Sequence, residues 1–267
     1  CGTGCRGFEP HHPPQNFRGT MNKFILFTVI TALVVSCTKQ QRSQDTFNIE
    51  LAVLIDVTDH HLVYPDANTL LEFAGITPDT YKGIRITLST ITDGDYTETL
   101  LCTLPKENSL TSNKDRRKLR VKQFTKELSS QLTKLTKRDS IKKAKSIIFR
   151  TCAKTLNTFS KTSAPQTGSN VKVCIIYSDL LEHSNISFYE PETIEKLAKD
   201  PATIATALEQ QNPLEDLHGI TVFLVYKAPD YNENEAYVKR SHVFAHILRN
   251  HGAEVYTGSL PPAFIHP

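Results

Sequence analysis

The sequence has few cysteines, a single methionine and no long apolar run. It comprises 267 residues with six cysteines and a formal net charge of +3. Six cysteines in a chain of this length are too few for a fold stapled by disulfides. No stretch reaches the ~18 apolar residues that a membrane span requires, which argues against a protein of several membrane helices. With 39% hydrophobic and 22% charged residues, the composition predicts a globular chain with a sizeable core.

The motifs of several enzyme and metalloprotein classes are also missing. The sequence contains no Gly-x-Ser-x-Gly elbow, no Gly-x-x-x-x-Gly-Lys loop and no Cys-x-x-Cys pair. His242 and His246 lie four residues apart but lack the glutamate of a His-Glu-x-x-His zinc protease. Cys102 and Cys174 lie in apolar strand patterns, which favour buried, unreactive thiols. We therefore expect no enzymatic activity.

Residues 21–36 have the pattern of a bacterial lipoprotein signal peptide. Met21, the only methionine, precedes Lys23 and twelve uncharged, mostly apolar residues. The segment ends in Val-Val-Ser-Cys, which resembles the lipobox, whose cysteine is acylated and becomes the mature N-terminus. The resemblance implies that Cys37 carries a lipid and anchors the chain in the cell envelope. Thr38-Lys39, directly after it, lacks the aspartate that marks inner-membrane retention in some bacteria, which favours the outer membrane. An ordinary cleaved signal or a short hydrophobic anchor is the alternative.

The segments on either side of the signal peptide differ in character. Residues 1–20 precede the only methionine, and we predict that they are translated upstream sequence rather than native protein. Residues 37–47 are polar and short, which suits a tether between a lipid anchor and a folded domain. We expect one domain over residues 48–267.

Strand and helix patterns alternate along this domain. Strands are predicted at 48–56, 84–91, 98–104, 171–177, 219–226 and 254–257, and helices at 117–136, 140–159, 192–199, 201–210 and 233–250. Strands separated by helices pair in parallel through right-handed crossovers, whereas the short turn at 92–95 suits a hairpin. The pattern therefore predicts an α/β fold. Its sheet is doubly wound and mostly parallel, with one antiparallel edge strand and helices on both faces.

Two acidic residues follow predicted strands. Asp56 ends the first strand and is followed by Thr58, while Asp179 follows Ser178 after the fourth. In open α/β sheets the ligand crevice lies beyond the carboxyl ends of strands, where the strand order reverses. Carboxylate and hydroxyl oxygens are the ligands that magnesium, manganese or calcium prefers. The pair predicts a cation site, and the alternative is that each acid caps the turn or helix that follows it.

These motifs resemble the von Willebrand factor type A family. Its metal-ion-dependent adhesion site begins with Asp-x-Ser-x-Ser after the first strand and is completed by a threonine and an aspartate from later loops. Asp56 and Thr58 match the first two positions and Asp179 the later acid, whereas His60 replaces the second serine. Ser140, at the start of the second predicted helix, is the nearest candidate for the missing hydroxyl. The resemblance implies a divalent cation, magnesium or manganese, held by these five residues.

Three functions remain open at this point. The resemblance implies a lipid-anchored protein-binding or adhesion module, whose cation accepts a carboxylate from an unknown envelope or extracellular protein. The alternative is a metal-dependent hydrolase, in which Asp56, Asp59 and Asp179 hold the metal and His60 or His61 acts as the general base. The third is a scaffold subunit of an envelope complex.

The scaffold hypothesis rests on an uneven charge distribution. Residues 114–145, which we call the basic run, contain thirteen Lys or Arg and three Asp or Glu. Residues 179–216 contain nine acids and two lysines. A basic face can meet an acidic partner, lipid head groups or nucleic acid, although a solvated helical face is the simpler explanation. We expect no nucleic acid partner, because the run offers no exposed stacking aromatic and a lipoprotein lies outside the cytoplasm.

Overall fold

The computed structural model describes residues 47–58, 62–93, 98–137, 146–162 and 171–260. Within these ranges it contains a six-stranded sheet of order β3-β2-β1-β4-β5-β6. The strands are β1 (Ile49–Asp56), β2 (Ile84–Ile91), β3 (Thr99–Leu104), β4 (Val171–Tyr177), β5 (Ile220–Val225) and β6 (Glu254–Gly258). Every neighbouring pair is parallel except β2 and β3, which are antiparallel. The predicted sheet with one antiparallel edge is confirmed.

Helices cover both faces of this sheet, as the sequence predicts. They are α1 (Ala67–Phe73), α2 (Lys114–Thr136), α3 (Ile148–Ser160), α4 (Pro191–Lys199), α5 (Pro201–Gln211) and α6 (Tyr231–Asn250). On one face Phe73 of α1 contacts Phe223 of β5. On the other, Phe149 of α3 contacts Phe244 of α6. In the described ranges, no helix has the length and apolar character that crossing a membrane requires.

Burial follows the position of each strand in the sheet. Every residue of β1 is buried, because this strand lies between two parallel neighbours and beneath helices on both faces. In the edge strand β3 only Cys102 and Leu104 are buried. Cys102, Cys152 and Cys174 are all buried and free, and burial raises the pKa of Cys102 to about 11. The expectation of buried thiols is confirmed.

The short helix α1 is absent from the sequence prediction. Its N-cap is Asp66, whose carboxylate accepts hydrogen bonds from the backbone N–H groups of Asn68 and Thr69. An aspartate placed in this way is an ordinary helix-start signal. Seven residues, however, are too few to display a helical repeat of apolar side chains.

The start predicted for α3 is wrong. The helix was expected from Ser140, but it begins at Ile148. Ile147 lies outside it, and its N–H donates to the backbone oxygen of Thr92 at 3.0 Å. The first amides of the helix are capped by Glu182, a side chain distant in sequence. Ser140 itself lies outside the described residues.

One arginine of the basic run is a core residue. Arg117 is 0% exposed, although most of its neighbours on α2 face solvent. Its guanidinium donates to the backbone oxygens of Thr80, Lys82 and Pro105 and forms an ion pair with Glu107. The basic run is therefore only partly a charged surface, because Arg117 holds the loops before β2 and after β3 against α2.

The predictions for residues 1–46 are not tested by the structure. The upstream segment, the signal peptide, the lipidated Cys37 and nearly all of the tether lie outside the described ranges. Phe47, the last residue of the predicted tether, is buried.

Candidate metal centre

The carboxyl ends of β1 and β4 meet where the chain reverses its direction across the sheet. β1 lies between β2 and β4, and Ile55 of β1 pairs with Tyr177 of β4. Successive connections run towards one edge before this point and towards the other after it, which makes it the switch point of the sheet. Asp56 and Ser178 follow these paired residues and therefore lie side by side, so the two strand ends meet as the sequence predicts, with Ser178 rather than Asp179 next to Asp56.

Asp56 is the centre of a buried hydrogen-bond cluster. It is 0% exposed, and its Oδ1 accepts from the backbone N–H of Thr58 at 3.0 Å and from the Thr58 hydroxyl at 2.6 Å. The hydroxyl of Ser146 lies 3.0 Å and 3.1 Å from the two carboxylate oxygens. The hydroxyl of Ser178 donates to Oδ2 at 2.9 Å. Three hydroxyls from three separate segments thus converge on one carboxylate.

Burial and hydrogen bonding act on Asp56 in opposite directions. Removal from water disfavours the charged form and raises the pKa of Asp56, and this effect dominates. The hydrogen bonds from Thr58, Ser178 and Ser146 oppose the rise, because they stabilise the carboxylate. The hydroxyls of Thr58 and Ser146 also contact each other. The result is a dense group of oxygen atoms at the carboxyl ends of β1 and β4.

Ser146 is the residue that the sequence analysis missed. Ser140, the predicted hydroxyl donor, lies outside the described residues, and Ser146 provides a hydroxyl at Asp56. Its position is set by its neighbours: its backbone oxygen accepts from the N–H of His183 at 2.8 Å, and Ile147 donates to Thr92. The one signal in the sequence is a serine directly before the apolar start of a helix. The helix predicted at 140–159 includes Ser146 in its interior, so the prediction gives this serine no role at the helix start.

Glu182 holds the start of α3 beside the cluster. Its Oε2 accepts from the backbone N–H groups of Ile148 at 2.9 Å and Phe149 at 2.7 Å. The first amides of a helix have no acceptor within the helix itself, and a negative charge beside them is favourable. Burial nevertheless raises the pKa of Glu182 to about 7, with the two amides opposing the rise. Glu182 thus links the loop after β4 to the segment that carries Ser146.

Asp179 performs a local role at the same edge. Its Oδ1 accepts from the N–H of Leu181 at 2.8 Å, and its backbone oxygen accepts from Nε of Arg240 at 2.9 Å. Both acids therefore bind a backbone N–H two residues ahead, as the capping alternative supposes. Leu180, directly after Asp179, has φ of 59°, the left-handed region where glycine is favoured, and its side chain is fully buried.

The remaining candidate ligands are outside the described part of the chain. Asp59, His60 and His61 all belong to this group, so the hydrolase hypothesis, which depends on them, remains a prediction. Among the residues that are described, no three or more His, Cys, Asp or Glu side chains are grouped so that they could hold a metal ion. The side-chain oxygens that surround the Asp56 carboxylate, and that could serve as metal ligands, belong to hydroxyl groups.

Comparisons with known proteins give distant structural likenesses. No protein-family model matches the sequence, and no curated protein matches it either. A conserved hypothetical protein, BatB, from Bacteroides thetaiotaomicron is 12% identical over 79% of this chain and 91% of that chain, with a TM-score of 0.34. The manganese-loaded TRAP protein of Plasmodium vivax is 14% identical over 72% of this chain and 62% of that chain, with a TM-score of 0.28. Both TM-scores lie below 0.5, so neither likeness identifies a family or a ligand for this chain. What is shown is an α/β fold with a doubly wound, mostly parallel sheet.

Proposed function

We propose that the chain is a non-enzymatic protein-binding module of the von Willebrand factor type A kind, which recognises its partner through a divalent cation. Magnesium or manganese would be held by Asp56, Thr58, Ser146 and Ser178, with Asp179 beside them. The observation that carries this proposal is the convergence of three hydroxyls on the buried carboxylate of Asp56.

The chemistry of the donors fits a hard cation. A carboxylate and hydroxyl oxygens are the ligands that magnesium and manganese prefer. A hydroxyl that donates its proton to Asp56 keeps its lone pairs for another partner. The carboxylate is buried, and among the described residues no basic side chain is within ion-pair distance of it. An uncompensated buried charge is costly, and a cation would supply the missing positive charge.

The role of each side chain follows from its position. Asp56 orients the hydroxyls, and the loop held by His183 and Glu182 keeps Ser146 against it. Asp179 is half-buried and adds a second carboxylate at the carboxyl end of β4. When bound, the cation would supply an open coordination position for a carboxylate of the partner protein.

We further propose that the module is tethered to the cell envelope through Cys37. The chain enters the described domain at Phe47, directly before β1, and the candidate cation site lies at the other end of this strand. β1 runs from Ile49 to Asp56, which is seven residue steps, so its two ends lie roughly 23 Å apart.

A thermal melt tests the cation. The full chain is melted in chelator and then with magnesium, manganese, calcium or zinc at millimolar concentration. A ligand that binds only the folded state raises the midpoint by mass action. We expect a rise for magnesium or manganese, and its loss in Ser146→Ala. The same substitution at Ser130, an exposed serine of α2, is the control and should keep the full rise.

A second pair of variants separates loss of the hydroxyl from loss of packing. Thr58→Val keeps the shape of the side chain but removes its hydroxyl, whereas Thr58→Ser keeps the hydroxyl. We expect the metal response to vanish in the valine variant and to persist in the serine variant. An unchanged midpoint in the wild-type chain at millimolar metal would show that the proposal is wrong.

A further inference from the structure

We propose that the groove between α1 and α2 binds an acidic amphipathic helix of a partner protein. The groove has a volume of about 960 Å³. It is lined by α2, by α1 and by the residues that follow α1, and its lining includes no residue of the Asp56 cluster. The inference therefore does not rest on cation binding.

The groove exists because the two helices differ in length. α1 has seven residues and α2 has 23, so α1 covers only part of the flank of α2. Leu71, Ile76 and Val121 line the recess but are themselves buried in the core. Leu119, on its α2 wall, is 55% exposed. The surface that remains open in the recess is mostly apolar, and Leu119 is its exposed apolar side chain.

The α2 wall also carries a row of positive charge. Lys118, Lys122 and Lys126 lie four residues apart, so successive lysines are neighbours along the helix. All three are exposed, and no acidic side chain of the described residues forms an ion pair with them. Nearby Lys114 pairs with Asp79. The three lysines are the part of the basic run that is available to a partner here.

The apolar recess and the row of lysines together favour one type of occupant. A helix with apolar anchors at positions i, i+3, i+4 and i+7 fits a recessed apolar groove. Acidic residues along the flank of that helix would meet the lysine row, whereas the opposite wall carries only one acid, Glu72. A flat lipid surface would meet the lysines but leave the recessed floor uncovered. Charge and shape together therefore favour an acidic helix.

The experiment measures peptide binding to the full chain by fluorescence anisotropy. The probe is an 18-residue helical peptide with leucines at the anchor positions and glutamates beside them. We expect Lys118→Glu/Lys122→Glu/Lys126→Glu to weaken binding at least tenfold, and Leu119→Ser to weaken it severalfold. The matched control, Lys154→Glu/Lys196→Glu/Lys239→Glu, makes the same change in net charge at exposed lysines elsewhere and should stay within twofold of wild type.

Four outcomes would overturn the proposal. They are absence of binding to the acidic peptide, equal binding of a version with lysines in place of the glutamates, an equal loss in the control triple, and a preference for another occupant. Vesicles of phosphatidylglycerol and phosphatidylcholine that bind in place of the peptide would indicate a lipid surface. Self-association by sedimentation that the groove triple abolishes, without peptide binding, would indicate a second copy. Circular dichroism checks that each variant is folded.

Discussion

At the scale of single residues, Asp56 and Asp66 show how one residue type serves opposite purposes. Asp66 caps α1 at the surface, and hydrogen bonds from Thr69 lower its pKa. Asp56 is buried, and desolvation raises its pKa despite three hydroxyl donors. The charged form therefore stabilises the fold at Asp66 and destabilises it at Asp56 while no cation is bound.

This contrast predicts opposite signs for two isosteric substitutions. In chelator at pH 8, Asp56→Asn should leave the free energy of unfolding unchanged or increase it, because a neutral amide avoids the cost of burying a charge. Asp66→Asn should lower it by about 0.5 kcal/mol, because the negative charge at the helix start is lost. Urea unfolding measures both, and a large destabilisation by Asp56→Asn in chelator would contradict the assignment. The same variant should lose the metal response.

Glu182 predicts a dependence of stability on pH. Its folded pKa, about 7, lies above the ordinary value of 4.5, so its contribution is fully present below pH 4.5 and is lost as the pH rises through 7. Glu182→Gln keeps an oxygen for the two amides of α3 but does not titrate. Between pH 5 and pH 8 the wild-type chain should lose on the order of 2 kcal/mol more stability than this variant. Equal pH profiles in urea unfolding would contradict the prediction.

At the scale of elements, contacts between residues distant in sequence hold the starts of two helices, α2 and α3. Glu182 caps α3 from the loop after β4. Arg117, in the first turns of α2, binds the backbone of the segments before β2 and after β3. These contacts position the helices against the sheet more firmly than the local caps do, because they join separate parts of the chain.

Arg117 provides the prediction at this scale. Arg117→Ala should lower the free energy of unfolding by about 3–5 kcal/mol, because it leaves buried carbonyls and Glu107 without their partner. Its neighbour Arg116 is exposed, and Arg116→Ala should change stability by less than about 0.5 kcal/mol. Urea unfolding compares the two. Similar losses of stability in the two variants would contradict the assignment of Arg117 to the core.

At the scale of the whole molecule, the chain has functional candidates on separate surfaces. The Asp56 cluster lies at the carboxyl edge of the sheet, and the lysine groove lies between α1 and α2. The chain enters the domain at the amino edge of the sheet, where β1 begins. This layout would leave room for one partner at the proposed cation site and another at the proposed groove.

The anchor predicts how the whole molecule is distributed in a bacterial cell. Cys37→Ser should move the protein from the membrane fraction to the soluble fraction and remove the mass of the lipid from the N-terminal peptide. Cys5→Ser is the control and should change neither, because residue 5 lies upstream of Met21 and is expected to be absent from the native protein. Fractionation and mass spectrometry measure both, and a native peptide from residues 1–20 would contradict the predicted start.

The predictable part of this structure is the part that repeated apolar patterns encode. β2 and β4 begin and end where the sequence predicts, because each is a run rich in apolar and β-branched residues. The neighbouring ends of β1 and β4 were also predicted, as the place where Asp56 and Asp179 meet, whereas the side chain that the structure places against Asp56 there is the hydroxyl of Ser178. The start of α3 was misplaced because its cap is Glu182, 34 residues away. α1 was missed because it is too short to show a repeat.

The sequence by itself determined the fold class, the switch point of the sheet and the acid at its centre. These depend on local periodicity and on the rule that parallel strands bring their carboxyl ends together. Only the tertiary structure decided that Ser146 completes the cluster, since its hydroxyl reaches Asp56 across 90 residues of chain. It also decided which charges of the basic run are buried and which line a groove. Hydrogen bonds and ion pairs of this kind join residues that share no local pattern, so they emerge only when the elements have packed.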